Sequence, residues 1–189
     1  MAVSPVEPHS WALSSILPIL FVGLLALTYR HISFSSGAYV LFAIFLTLHT
    51  IGSHYTYAQV PFGFWIEDIF GFHRNGFDRM VHFCFGLLFA YPLYELFGTI
   101  TGFSSWLRYY MVFMTIVGLG GLWEILEFWV ARIASPELGP AFLGAQGDLW
   151  DAQKDMAATL YGALIGLAIM IIGYRCLGSR TACKKKNGW

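Results

Sequence analysis

Long apolar runs separated by short polar stretches dominate the pattern along this chain. Five of these runs approach the ~20 residues that a helix needs to cross a bilayer. We therefore predict transmembrane helices at about 11–29, 37–52, 78–97, 106–131 and 149–174. Residues 58–75, between the second and third runs, are rich in aromatic side chains and contain Pro61 and Gly63. This composition is typical of an interfacial or re-entrant segment, with a sixth crossing as the alternative.

The composition places the chain among membrane proteins. It is 57% hydrophobic and 12% charged, whereas soluble domains average roughly 25% charged residues. Its 189 residues leave no room for a second soluble domain. The sequence thus predicts one integral-membrane domain, an all-α polytopic helix bundle with about five transmembrane helices. Net charge is zero and the basic residues form no large block, so we expect membrane lipids as partners and no nucleic acid.

The distribution of Lys and Arg predicts the orientation. Arg30, Arg108 and the basic tail 175–189 fall on one side of a five-helix arrangement. Positive residues collect on the cytoplasmic side of membrane proteins. We therefore expect a cytoplasmic C-terminus and an extracytoplasmic N-terminus.

This topology brings ionisable residues from four segments to the extracytoplasmic level of the membrane. They are His49 and His54 at the end of the second span, Asp78 and His82 at the start of the third, Glu124 and Glu127 near the end of the fourth, and Asp148, Asp151 and Asp155 at the start of the fifth. Ionisable groups at this depth are costly, so they face the bundle interior and pair, or they mark a functional site. The aspartates of the last group share one helical face, which continues into the small residues Gly162 and Gly166.

The excess of negative charge suggests a metal. Six carboxylates cannot all be ionised together in a low-dielectric pocket without compensation, and Arg79 and Lys154 could each neutralise one. His with Asp or Glu at i,i+3 and i,i+4 spacing is a ligand set for a divalent metal such as Zn, Mn, Fe or Mg. We expect all nine residues to be candidate ligands, and we assign catalysis to Asp78, His82, Glu124, Asp151 and Asp155. Arg79 and Lys154 are expected to bind an anionic head group of the substrate.

Other interpretations stay open at this point. Asp148 could instead cap the fifth helix, since acidic residues favour a helix N-terminus. Glu67, Glu95 and Glu137 are expected at solvated ends. The chain has no Gly-rich phosphate loop, no GxSxG elbow and no HExxH motif. The candidate functions are a metal-dependent membrane enzyme acting on a lipid or envelope substrate, an ion- or proton-coupled transporter, and a structural protein without catalysis.

Four motifs carry a family resemblance across nearly the whole chain. They are HTIGSHYTY at 49–57, NGFDRMVHF at 75–83, WEILE at 123–127 and GDLWDAQKDM at 147–156. In this order they resemble the YjdF-type bacterial inner-membrane family. That family is uncharacterised, so the resemblance implies a multi-pass protein of the bacterial inner membrane and no particular reaction.

A second, partial resemblance is to VanZ-like membrane proteins. The DRMVHF sequence at 78–83 is similar to the start of one of their spans, and Glu124 or Glu127 to a later glutamate. This chain departs from the third part of their pattern, in which an aspartate is followed by an asparagine and then a glycine. Here Asp155 is followed by Gly162 with no asparagine between them. The resemblance implies association with the envelope or with lipid.

Overall fold

The computed structural model describes residues 3–70, 74–133 and 146–186, and no strand occurs in that part of the chain. Its helices are α1 (Pro8–Thr28), α2 (Ser36–His54), α3 (Pro61–Phe70), α4 (Phe77–Ile100), α5 (Ser105–Ile133) and α6 (Asp151–Lys186). Five of them are long and apolar enough to cross a membrane, α6 through its Asp151–Cys176 part. Each lies within three residues of its predicted bounds. The predicted all-α membrane bundle is confirmed, and α6 continues as a helix into the basic tail.

Helix α3 covers most of the aromatic segment for which a sixth crossing was the alternative. Its ten residues span only about 15 Å, half of what a crossing requires. Phe62, Phe64 and Trp65 are exposed on it, which is typical of a helix lying at the membrane interface. Residues 71–73 of this segment lie outside the described residues. So do residues 134–145, which include Pro136, Gly139, Pro140 and Gly144.

The start of α2 is held by a carboxylate from α4. The backbone N–H of Ser35 lies 3.1 Å from both carboxylate oxygens of Glu95, and the Ser35 hydroxyl donates to the same carboxylate at 3.2 Å. The Ser35 hydroxyl oxygen also accepts from the Ala38 N–H at 3.3 Å. Glu95 is therefore not the freely solvated helix-end residue that the sequence suggested. It compensates unpaired N–H groups and the positive end of the α2 dipole.

Helices α4 and α6 share the largest interface of the bundle. A Cβ on Gly86 of α4 would overlap the Thr159 carbonyl oxygen, and one on Gly162 of α6 would overlap the Phe83 carbonyl oxygen. A Cβ on Gly166 would lie 2.8 Å from the Leu87 carbonyl oxygen. The missing side chains let the two backbones approach closely, as small residues do in membrane bundles. The small-residue face predicted for α6 is thus the face that contacts α4.

The other helices pack around this pair less evenly. Helix α5 contacts both α4 and α6, while α2 packs on α4 and α1 packs mainly on α2. Among the described residues, neither α1 nor α2 makes a substantial interface with α5. The bundle therefore has a gap between these helices beside α4.

We expect Gly162→Ala to weaken the α4–α6 interface, because its Cβ has no room beside the Phe83 carbonyl. Overpacking of this kind costs about 1–3 kcal/mol. Thermal unfolding in detergent should show a lower melting temperature than wild type. Gly173→Ala is the matched control on the same helix, since nothing lies near a Cβ there. Equal melting temperatures for the two variants would contradict this packing.

Candidate functional site

Asn75 fixes the loop before α4 relative to the segments around it. It is fully buried, and its side-chain amide donates to the Val60 carbonyl at 2.9 Å while its Oδ1 accepts from the Phe77 N–H at 3.1 Å. Its backbone N–H and C=O both pair with the Gln146 side chain at 3.0 Å. One asparagine thus ties together the approach to α3, the start of α4 and the approach to α6.

A tight turn then aims Asp148 at the start of α6. Gly147 has a φ of +84°, a conformation that glycine adopts without strain. Asp148 Oδ1 accepts from the Trp150 N–H at 3.0 Å, just before the first residue of α6. Its Oδ2 lies 2.7 Å from Lys154 Nζ and 2.5 Å from Arg79 Nη2. The hydrogen bond from Lys154, followed by those from Trp150 and Arg79, holds the pKa of Asp148 well below its usual range. Asp148 is therefore an ionised anchor for two cations.

Asp78, Asp151 and Asp155 form a group that we call the carboxylate triad. One oxygen from each lies within 4.8 Å of the others, and all three residues are buried. Asp78 comes from the first turn of α4, and the other two from the first turns of α6. Within the described part of the chain, Asp155 Oδ1 has no hydrogen-bond donor. Arg79 Nε faces this oxygen at 3.7 Å, an ion-pair contact too long for a hydrogen bond, so the oxygen can accept a further ligand.

Two arginines border the carboxylate triad. Arg74, in the loop before α4, contacts Asp151 directly and lies 3.7 Å from Asp148. Arg79 Nη2 is 3.2 Å from Asp151, and its Nε is 3.7 Å from Asp155. Sequence reasoning assigned Arg79 to a substrate and did not include Arg74 in the site. The signal available for Arg74 was its position directly before the NGFDRMVHF motif.

His82 links the carboxylate triad to α5. Its Nε2 lies 3.4 Å from Glu124 Oε1 and 3.8 Å from Asp78 Oδ1. Its Nδ1 lies 3.4 Å from the Thr159 hydroxyl of α6. Glu127, one turn beyond Glu124, is buried. The structure therefore brings the predicted residues of α4, α5 and α6 together.

His49 and His54 are placed differently from the carboxylate triad. His49 Nε2 is 3.0 Å from the Ser14 carbonyl, which can only accept, so Nε2 carries the proton and Nδ1 accepts from the Tyr57 hydroxyl at 2.6 Å. Burial, then the Asp78 and Glu127 carboxylates, raises the pKa of Tyr57 well above its usual value, so Tyr57 stays a donor. Both nitrogens of His49 are thus engaged, and ligation would break one of these bonds. His54 stacks edge-on against Tyr55 at 4.7 Å between ring centroids, outside the triad.

An apolar cavity of about 300 Å³ opens beside these polar residues. Its walls come from α1, α2, α4 and α5, where the bundle has its gap. Asp78 and His82 also line it. The cavity and the carboxylate triad therefore share a boundary at Asp78.

Comparison with known proteins agrees with this membrane architecture. Residues 1–177 match the model of the family described as predicted membrane protein DUF2238. The chain belongs to that family. It is also 30% identical to the inner membrane protein YjdF of Escherichia coli (strain K12), over 92% of this chain and 83% of that protein. No solved structure matches. The resemblance to the YjdF-type family is confirmed and the chain is a multi-pass membrane protein, while the resemblance to VanZ-like proteins stays a prediction.

We expect Arg74→Gln to destabilise the protein, because it removes one partner of a buried ion pair with Asp151. Removing one partner of a buried ion pair costs about 3 kcal/mol at the lower end of the measured range. We expect a loss at this lower end because Arg79 still contacts Asp151. Thermal unfolding in detergent measures the loss. Adding Asp151→Asn should restore part of the stability, and Arg132→Gln at the exposed end of α5 is the control. A double variant no more stable than Arg74→Gln alone would show that the pair is not coupled.

Proposed function

We propose that this protein is a membrane-embedded enzyme of the bacterial inner membrane that binds a divalent cation at the carboxylate triad and acts on a lipid or envelope substrate. The observation that carries the proposal is the meeting of three buried carboxylates from two helices, with Asp155 Oδ1 lacking a hydrogen-bond donor within the described residues. A buried carboxylate oxygen without a hydrogen bond is costly, and the 3.7 Å ion-pair contact with Arg79 Nε is too long to supply one. A bound cation would coordinate this oxygen directly.

The distances suit a hard cation. Ligand oxygens lie about 2.1 Å from Mg²⁺ and about 2.4 Å from Ca²⁺, so oxygens on opposite sides of the ion are roughly 4–5 Å apart. The triad oxygens lie within 4.8 Å of one another, so small side-chain rotations would complete a site. An oxygen-only ligand set favours Mg²⁺ or Mn²⁺ among the metals considered from the sequence.

The charge balance supports the same conclusion. The polar region contains six carboxylates and three cations, namely Asp78, Glu124, Glu127, Asp148, Asp151 and Asp155 against Arg74, Arg79 and Lys154. Buried like charges destabilise one another unless they are protonated or neutralised. One divalent cation would neutralise two of the three excess negative charges.

The neighbouring groups fit the needs of metal-assisted chemistry. A bound cation activates water or polarises a phosphoryl or carbonyl oxygen. We assign His82 as the general base or acid, with the Glu124 carboxylate facing its Nε2 at 3.4 Å. Arg79 and Lys154 both contact Asp148, so an anionic head group would bind them by exchanging with that carboxylate. From the predicted orientation, we place this site at the extracytoplasmic side.

A carrier for ions or protons would use the same carboxylates, and the charge balance alone suits both functions. The cavity favours the enzyme, because most of its lining is apolar and a path for ions requires polar lining. A structural protein without catalysis would use the ion pairs of the polar region to hold its helices together, but it would have no role for the apolar cavity.

Cation binding tests the proposal on protein purified in detergent and stripped of metal with a chelator. We expect wild type to bind about one Mn²⁺ per chain, as counted by electron paramagnetic resonance, with competition by Mg²⁺. Asp155→Asn should weaken binding at least tenfold, since it removes a ligand and its charge. Asp68→Asn, an exposed acid on α3, should bind like wild type.

Two results would contradict the metal site: no stoichiometric binding by wild type, or equal binding by Asp155→Asn. Proton-coupled uptake into liposomes without metal binding would support the carrier instead. If wild type neither binds the cation nor takes up ions, a structural role remains.

A further inference from the structure

The apolar cavity has a continuous hydrocarbon wall on one side. Phe89 of α4 packs against Phe21 of α1 at 5.8 Å and against Phe45 of α2 at 5.0 Å between ring centroids. On the other side, α5 presents three half-exposed leucines, which are Leu119, Leu122 and Leu126. Four helices thus enclose an apolar space that is partly open along α5.

The length of the cavity along α4 is close to the thickness of the hydrocarbon layer of one membrane leaflet. Along α4 its lining runs from Asp78 to Phe89, which at 1.5 Å per residue is roughly 16 Å. The hydrocarbon core of a bilayer is about 30 Å thick, so the cavity reaches about halfway across. A lipid acyl chain occupies the same depth in its own leaflet.

The two ends of the cavity differ in polarity. Asp78, His82 and the His49–Tyr57 pair line it at the level of the carboxylate triad, whereas aromatic and aliphatic residues line the deeper part. Apolar cavities stay dry and bind apolar molecules, because an empty one forfeits contacts along its lining. Inside a membrane, the abundant molecule with an apolar part and a polar end is a lipid.

We infer that the apolar cavity binds one hydrocarbon chain of a membrane amphiphile, with the amphiphile's polar end at Asp78 and His82. Its volume of about 300 Å³ lies at the lower end of small-molecule sites, which suits one chain and not two. Treating this amphiphile as the substrate rests on the proposed function. The substrate class is then a membrane lipid that places one hydrocarbon chain in the cavity and its polar end at Asp78 and His82.

Photolabelling in nanodiscs tests the inference. The probe is a phosphatidylcholine with a diazirine midway along one acyl chain, diluted into phosphatidylethanolamine and phosphatidylglycerol. After irradiation, mass spectrometry should find labels enriched at Phe85, Phe89 and Leu119, which line the cavity. Leu126→Trp should reduce this labelling at least fivefold by filling the cavity. Ile125→Trp is the matched control, because Ile125 is exposed beside Leu126 but does not line the cavity.

The inference is overturned if labels show no enrichment over exposed residues such as Ile19 and Ile169, or if Leu126→Trp is labelled like wild type. The metal site is measured separately on the same preparation. Asp155→Asn should lose the cation yet keep the cavity labels. Enriched labelling without metal binding would therefore refute the proposed enzyme and support the hydrocarbon-binding cavity. Metal binding without enriched labelling would support the metal site and refute the hydrocarbon-binding cavity.

Discussion

The backbone contact between α4 and α6 is the constraint on which the site depends. Gly86 and Gly162 let the helices approach to a distance that any side chain would prevent. This contact brings the first turn of α4 beside the first turns of α6, so that Asp78 meets Asp151 and Asp155. Thr159 reaches His82 across the same interface, with its hydroxyl 3.3 Å from the His82 carbonyl oxygen. Packing in the apolar part of the bundle therefore creates the polar site above it.

The loops before α4 and α6 position charged side chains that offset part of the negative charge of the carboxylate triad. Asn75 holds the segment that carries Arg74, and the turn at Gly147 aims Asp148 at Arg79 and Lys154. These cations neutralise part of the carboxylate charge, but three negative charges remain in excess when every group is ionised. A bound cation or shared protons must offset that excess. The polar region thus has an excess of negative charge. The apolar cavity borders this region at Asp78 and His82.

Much of this could be predicted because hydropathy fixes the depth of each residue in a membrane. The five spans and the shared level of Asp78 and Asp155 follow from hydropathy. The glycine face of α6 follows from the helical periodicity of the sequence. Depth does not determine which helices are neighbours, however. The bond from His49 to the Ser14 carbonyl depends on α1 packing against α2, and the binding of Glu95 to Ser35 joins residues far apart in sequence. Arg74 and Tyr57 were missed for a related reason, since both lie in irregular segments whose path no periodicity describes.

The central claim is that the carboxylate triad is a cation site. The most direct measurement is anomalous X-ray diffraction from crystals of the protein grown with Mn²⁺. Our account predicts one strong anomalous peak about 2.1–2.4 Å from oxygens of Asp78, Asp151 and Asp155. Crystals that show Mn²⁺ elsewhere, or no peak among these three residues, would contradict it.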